Sequence, residues 1–160
     1  MSHSKPTTGP QPWTPGDEWK QPGQARLFAP ATLRNRDAIL AVLRDILPAR
    51  GLVLEVASGS GEHVVHIAAA LPELTFQPSD PSAEALASIT AWTAEQALQN
   101  ILPPLRIDAT TDNWPVDRAD AILCINMIHI APWAATEGLF RNAGRILREG
   151  GPLYLYGPFR

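Results

Sequence analysis

LVLEVASGSGEH, residues 52–63, is the stretch on which the fold turns. Leu52 to Val56 is apolar except for Glu55, the pattern of a strand buried on both faces. Gly59 to Gly61 reads as a tight turn leading into a helix. Past Gly61 the apolar residues take up helical spacing, which Pro72 ends.

The alternation extends in both directions. Upstream, Ile39, Val42, Leu43, Ile46 and Leu47 recur at helical spacing until Pro48. Downstream, Leu74 to Gln77 reads as a second strand. Asp80 followed by Pro81 opens a helix that runs to about Leu98, because proline is tolerated at a first helical position. Leu105 to Asp108 is a short third strand and Ala121 to Asn126 an apolar fourth. Trp133 to Arg148 is a helix stopped by Gly150 and Gly151, and Leu153 to Tyr156 is a fifth strand. Strands this apolar, separated by helices, predict an α/β domain with a doubly wound, mostly parallel sheet.

Composition narrows the function. In 160 residues, 13 Lys and Arg stand against 16 Asp and Glu, a formal net charge of −3 that does not favour nucleic acid as a partner. The single cysteine, Cys124, excludes an intramolecular disulfide and a cysteine-based zinc site, which fits the cytoplasm. No stretch approaches a membrane span, and the N-terminus lacks the apolar segment of a signal peptide. Six of the 16 prolines fall within the first 30 residues, among Gly, Gln, Ser and Thr. Residues 1–26 are therefore expected as an arm, flexible or draped over the surface through Trp13 and Trp19, and residues 27–160 as one domain.

In doubly wound sheets ligands bind beyond the carboxyl ends of the strands, where strand order reverses. Glu55 closes the first strand, and Gly59 and Gly61 let backbone approach a ligand at a helix N-terminus. Twenty-five residues beyond Glu55, Asp80 stands where an acid can accept both hydroxyls of a ribose; its other role is to cap the following helix. No lysine follows Gly61, so the phosphate-binding loop is absent. Neither Ser58 nor Ser60 has the glycines of a hydrolase elbow. Val64 occupies the place of the third glycine of an NAD-binding turn. A glycine turn and a ribose acid without a phosphate grip suit a nucleoside ligand lacking phosphates, such as S-adenosylmethionine.

EVASGSGEH, QPSD, ILCINMIHIAPW and LYLYGPF together resemble the class I S-adenosylmethionine-dependent methyltransferases. More narrowly, they resemble the methyltransferase-like proteins gathered as domain-of-unknown-function family 938, over about Phe28 to Arg160. The resemblance implies a Rossmann-like methyltransferase fold with S-adenosylmethionine as cofactor. Glu55, Gly59 and Gly61 would lie near its methionine moiety, Asp80 at the ribose, Asp108 at the adenine amine and Asn126 beneath the sulfonium. Class I enzymes continue into a further helix and an antiparallel strand pair, whereas this sequence stops at Arg160. The expected domain lacks those strands, so either the uncharged LYLY edge is open to self-association or the sequence is the ordered part of a longer polypeptide whose remaining segment covers that edge.

Methyl transfer needs little machinery beyond alignment and exclusion of water. Asn126, His129 and Trp133 all follow the fourth strand and project toward one mouth, so they are the acceptor-side candidates. His129 can serve as general base, or be a loop histidine held by hydrogen bonds. Trp133 can stack on an acceptor or pack at the start of its helix. Asn126 is not followed by the Pro-Pro-aromatic sequence that amino-methylating DNA enzymes carry, which disfavours nucleobase amines. His63 and His66, three apart, could share a helix face as metal ligands but lack a third partner, so no metal is expected. Cys124 reads as a small buried hydrophobe. Arg34, Asn35 and Arg36, which precede or begin the first helix, can cap it, remain solvated or reach an anionic part of the ligand, with the first two roles favoured. The sum is a methyltransferase acting on a small-molecule acceptor, with an NAD-dependent oxidoreductase and a non-catalytic S-adenosylmethionine-binding partner protein as the alternatives.

Overall fold

The apolar runs become strands, and the sheet they form is parallel throughout. In the computed structural model, which describes residues 24–159, the strands are β1 (Gly51–Val56), β2 (Leu74–Asp80), β3 (Leu105–Arg106), β4 (Ala121–Ile125) and β5 (Leu153–Tyr156). Their order is β3-β2-β1-β4-β5, with every neighbouring pair parallel. The helices are α1 (Pro30–Ile46), α2 (Glu62–Ala70), α3 (Ala83–Glu95) and α4 (Trp133–Ile146). The expected arm up to residue 23, with Trp13 and Trp19, lies outside the described residues.

Side chains alternate across the sheet, and each face carries its own core. Val53, Phe76, Leu123 and Ile125 pack against Ile39 and Leu43 of α1, Val64 and Ile67 of α2, and Ile89 of α3. Leu54, Val56, Ile122 and Cys124 pack on the other face against Leu139, Ala143 and Ile146 of α4. No helix joins β3 to β4; residues 107–120 form turns instead, and Trp114 and Val116 fill the space beside α4. No helix of the described residues is long and apolar enough to cross a membrane.

Several boundaries differ from the sequence expectation, each for a local reason. β2 runs on through Pro78 to Asp80. Proline breaks a strand ladder because it has no N–H to donate; here the Gln77 side-chain amide bridges the gap, donating to the Pro78 and Pro103 carbonyls at 2.9 Å each. Pro81 is not a first helical residue: Ser82 caps α3, its hydroxyl accepting from the Ala85 N–H at 3.3 Å. β3 is only two residues long, so Asp108 lies two positions beyond it. Arg34 to Arg36 lie in the second turn of α1, whose first residue is Pro30. Arg26, assigned to the arm, is tied to the domain through Glu95 at 3.8 Å.

Two glycines of α4 make a contrast. Gly138 presses on the turn after β3: a Cβ there would stand 1.8 Å from the Ala109 carbonyl oxygen. Around Gly144 nothing lies within 4 Å. Gly138→Ala should therefore cost about 1–3 kcal/mol as backbone is forced apart. Gly144→Ala should gain up to about 1 kcal/mol of helix propensity. Urea unfolding of the two variants checks this, and equal effects would refute the packing account.

Candidate functional site

β1 and β4 are neighbours, yet the chain leaves β1 toward α2 on one face and leaves β4 toward α4 on the other. The divergence opens a cleft of about 1530 Å³ at the carboxyl ends of the strands. It is lined by the turn after β1, the end of β2, the segment after β3, residues 125–135, Tyr156 to Pro158 and the first turns of α1.

The turn after β1 is built on left-handed backbone. Ala57 has φ 58°, Gly59 φ 58° and Gly61 φ 91°. Glycine adopts this region freely, whereas an alanine there costs about 1–2 kcal/mol. Gly61, the N-cap of α2, also needs its missing side chain, because a Cβ would lie 2.9 Å from the Ile89 backbone. Gly59 lines the cleft; Gly61 sits behind it against α3.

Asp80 fixes the turn and faces the same cleft. One of its carboxylate oxygens accepts the Gly59 N–H at 3.0 Å and the other the Ser82 N–H at 2.9 Å. Burial raises its pKa, and the two backbone donors oppose that rise. A carboxylate offers about four lone-pair sites, so two remain for a ligand. The expected helix-capping role passes to Ser82, while Asp80 organises the loop.

Glu55 does not line the cleft. It lies beneath the turn, 1% exposed, and neither carboxylate oxygen has a hydrogen-bond partner. Burial raises its pKa to about 7; the nearby Ser58 hydroxyl opposes the rise and the Asp80 charge adds to it. His63, in the first turn of α2, borders the cleft with both ring nitrogens buried and unpartnered. Burial, reinforced by His66 and Arg36, pulls its pKa down to about 4. Val64, in the place of a third glycine, is fully buried in the core under α2.

The remaining candidates divide between the cleft and elsewhere. Asp108 borders the cleft and holds its own turn, accepting the Thr110 N–H at 2.9 Å and hydroxyl at 2.7 Å. Asn126 has φ 61°, a conformation asparagine tolerates, and donates its N–H to the Tyr156 carbonyl at 2.8 Å. His129 also lines the cleft and packs on Gly157, where a Cβ would stand 3.0 Å from its Nδ1. Trp133 is 67% exposed and does not border the cleft, so it neither packs the helix start nor faces an acceptor there. His66 Nε2 lies 3.0 Å from Asp37 Oδ1, and no cluster of three His, Cys, Asp or Glu suited to a metal occurs among the described residues. Cys124 is buried in β4, its thiol pushed up to about 12 by burial and by Glu55.

Leu27 and Ala29, just before α1, border the cleft and were missed from the sequence; Arg34 and Asn35 border it too, the less favoured of the roles expected for them, and Arg34 is exposed as well. Tyr156 was missed as well, being legible only as part of an apolar strand.

The family model described as "Protein of unknown function (DUF938)" matches residues 26–160, and the chain belongs to that family. Among solved structures it is similar to coclaurine N-methyltransferase bound to N-methylheliamine and SAH, with 22% identity and a TM-score of 0.63 over 75% of this chain and 35% of that one. The sugar N-methyltransferase KedS8 from Streptoalloteichus sp ATCC 53650 gives 24% and 0.55, over 76% of this chain and 46% of that one. CalO1, a methyltransferase in calicheamicin biosynthesis in its SAH-bound form, gives 19% and 0.63, over 78% and 36%. The fold is thus the Rossmann-like fold of the S-adenosylmethionine-dependent methyltransferases. The chain spans between 35 and 46% of the length of these three structures.

Glu55 and His63 titrate in opposite senses. Glu55, raised from 4.5 to about 7, contributes stability that is present below pH 4.5 and lost as pH rises through 7. His63, lowered from 6.5 to about 4, contributes stability that is present above pH 6.5 and lost as pH falls through 4. Each shift corresponds to about 3 kcal/mol, and between pH 4.5 and 6.5 the two slopes offset. Glu55→Gln should leave the His63 slope exposed: relative to the wild type, the variant gains about 3 kcal/mol as pH rises from 4.5 to 7. Urea unfolding across that range measures it, and a pH-independent difference would show that Glu55 is not shifted.

Proposed function

We propose that the cleft binds S-adenosylmethionine and that the protein transfers its methyl group to a small-molecule acceptor. The observation that carries the reading is the turn Ala57–Gly61, held left-handed and tied by its Gly59 N–H to Asp80, with both residues facing one cleft. Among the described residues Arg34 is the only Lys or Arg that lines it, against Asp80, Glu84 and Asp108. That balance suits a nucleoside without phosphates. A volume of about 1530 Å³ exceeds the roughly 300–1,000 Å³ of a single-ligand pocket and leaves room for cofactor and acceptor together.

The residues present fit the group. Asp80 has lone pairs to spare and would accept two ribose hydroxyls, Asp108 would accept from the adenine amine, and Gly59 would let backbone approach the methionine part. Glu55 acts from below, as a buried carboxyl under the turn. When bound, the cofactor supplies an electrophilic methyl on a sulfonium. The chain's own part is to position and to move a proton: Asn126 braces the end of β4 against β5, and His129 Nδ1 or Nε2 takes the proton an acceptor hydroxyl, thiol or amine releases. Met127, Ile130, Ala131 and Pro132 give the acceptor side an apolar wall that sheds water. This describes a cytoplasmic enzyme that does not use nucleic acid as its substrate.

Calorimetry with S-adenosylmethionine, S-adenosylhomocysteine and NAD tests the cofactor. Tight NAD binding without response to the adenosyl ligands would favour the oxidoreductase. Adenosyl binding without turnover of a labelled methyl group would favour the non-catalytic partner. Asp80→Asn should weaken S-adenosylhomocysteine binding at least about tenfold, since charge-assisted hydrogen bonds are worth about 1.5–3 kcal/mol each. Unchanged affinity would confine Asp80 to shaping the loop.

The LYLY strand offers a second contact. Among the described residues β5 ends the sheet, and because the Pro152 and Tyr156 carbonyls point to β4, Leu153 and Leu155 turn theirs outward. A second copy adding a strand there gives a dimer. Sedimentation should show it, with Leu155→Lys restoring the monomer; a wild-type monomer at high concentration would refute it.

A further inference from the structure

The segment Arg26–Ala29, which leads into α1, is joined to the glycine turn at two points. Ser88 of α3 is fully buried, and its one hydroxyl donates to the Ser60 carbonyl at 2.6 Å while accepting the Leu27 N–H at 2.7 Å. A hydroxyl that donates and accepts at once lets each bond strengthen the other. The second join is Glu62: its Oε1 accepts the Ser60 hydroxyl at 3.1 Å and also the Ala29 N–H. Both joins end on Ser60, one at its carbonyl and one at its side chain.

The segment is held from its far side by Trp92. Trp92 Nε1 donates to the Leu27 carbonyl at 2.9 Å, and its ring meets Phe28 edge-on with centroids 5.2 Å apart. The Arg26 guanidinium lies 5.0 Å from the Trp92 ring centre. Leu27 and Ala29 border the cleft on one side, and Gly59 and Ser60 border it on another; Trp92 does not border it.

We propose that Ser88 and Glu62 are positioning residues that order the glycine turn and the Arg26–Ala29 segment as one unit, so that a ligand held by the turn also fixes the adjoining wall. A ligand touching both walls then binds to surfaces already ordered together, and loosening one wall weakens its hold on the other. The coupling itself is a property of the free protein; only its effect on binding rests on the adenosyl ligand proposed above.

Trp92→Phe tests it, because the variant keeps an aromatic ring beside Phe28 and Arg26 but loses the donor to Leu27, and it touches neither the turn nor the cleft. Amide hydrogen exchange should rise about fivefold or more at Leu27–Ala29 and also at Gly59–Glu62, with the amides of α4 unchanged. The dissociation constant for S-adenosylhomocysteine should rise about fivefold. Ser88→Ala should give the same pattern more strongly. Faster exchange at Leu27–Ala29 with the turn unaffected would overturn the proposal, as would an equal rise in α4, which marks general loosening. Failure of the wild type to bind S-adenosylhomocysteine would remove the cofactor reading, and the exchange measurement would still decide the coupling.

Discussion

Two neighbouring strands of a parallel sheet leave open space at their carboxyl ends only when their outgoing chains turn to opposite faces. β1 and β4 meet that condition, and most of what is distinctive in this chain is arranged around it. The turn after β1 must clear the space without filling it, so Ala57, Gly59 and Gly61 are all left-handed. The chain after β4 must turn the other way, and Asn126, also left-handed, begins that turn. A divergence of two connections thus opens one volume that backbone N–H groups, three acids and two histidines border, without any strand being distorted to bring them there.

The electrostatics follow from the same geometry. Everything below the turn is core, so Glu55 reaches its position only by giving up water, and burial lifts its pKa to about 7. The same physics acts on His63 with the opposite sign and keeps it neutral at physiological pH. A buried acid and a buried base with displaced pKa values thus lie beside the turn, an arrangement found more often around functional sites than in a structural core.

The sheet was legible because its strands are buried on both faces: LVLEV and AILCI leave no other reading. Glycine spacing and strand ends pointed to Gly59 and Asp80, the place after the fourth strand to Asn126 and His129, and the family resemblance to Asp108; all five border one cleft. What escaped was decided by contacts distant in sequence. Pro78 looked like the end of a strand because nothing nearby shows that Gln77 will bridge the missing bond to Pro103. For Arg34 and Asn35 the ligand-facing role was the less favoured one, because only the docking of Leu27 and Ala29 onto α3 and α2 shows that this end of α1 borders the cleft. Trp133 follows the right strand, but the turn at residues 127–132 carries it past the mouth to solvent.

Cys124 has a practical bearing. Its thiol is enclosed in β4 and does not ionise near neutral pH, so it neither attacks disulfides nor takes up alkylating reagents in the folded state. Since the sequence holds no other cysteine, one introduced at an exposed site becomes the sole address for a fluorophore or spin label. The protein can be handled in air and reported on optically with its native side chains otherwise intact.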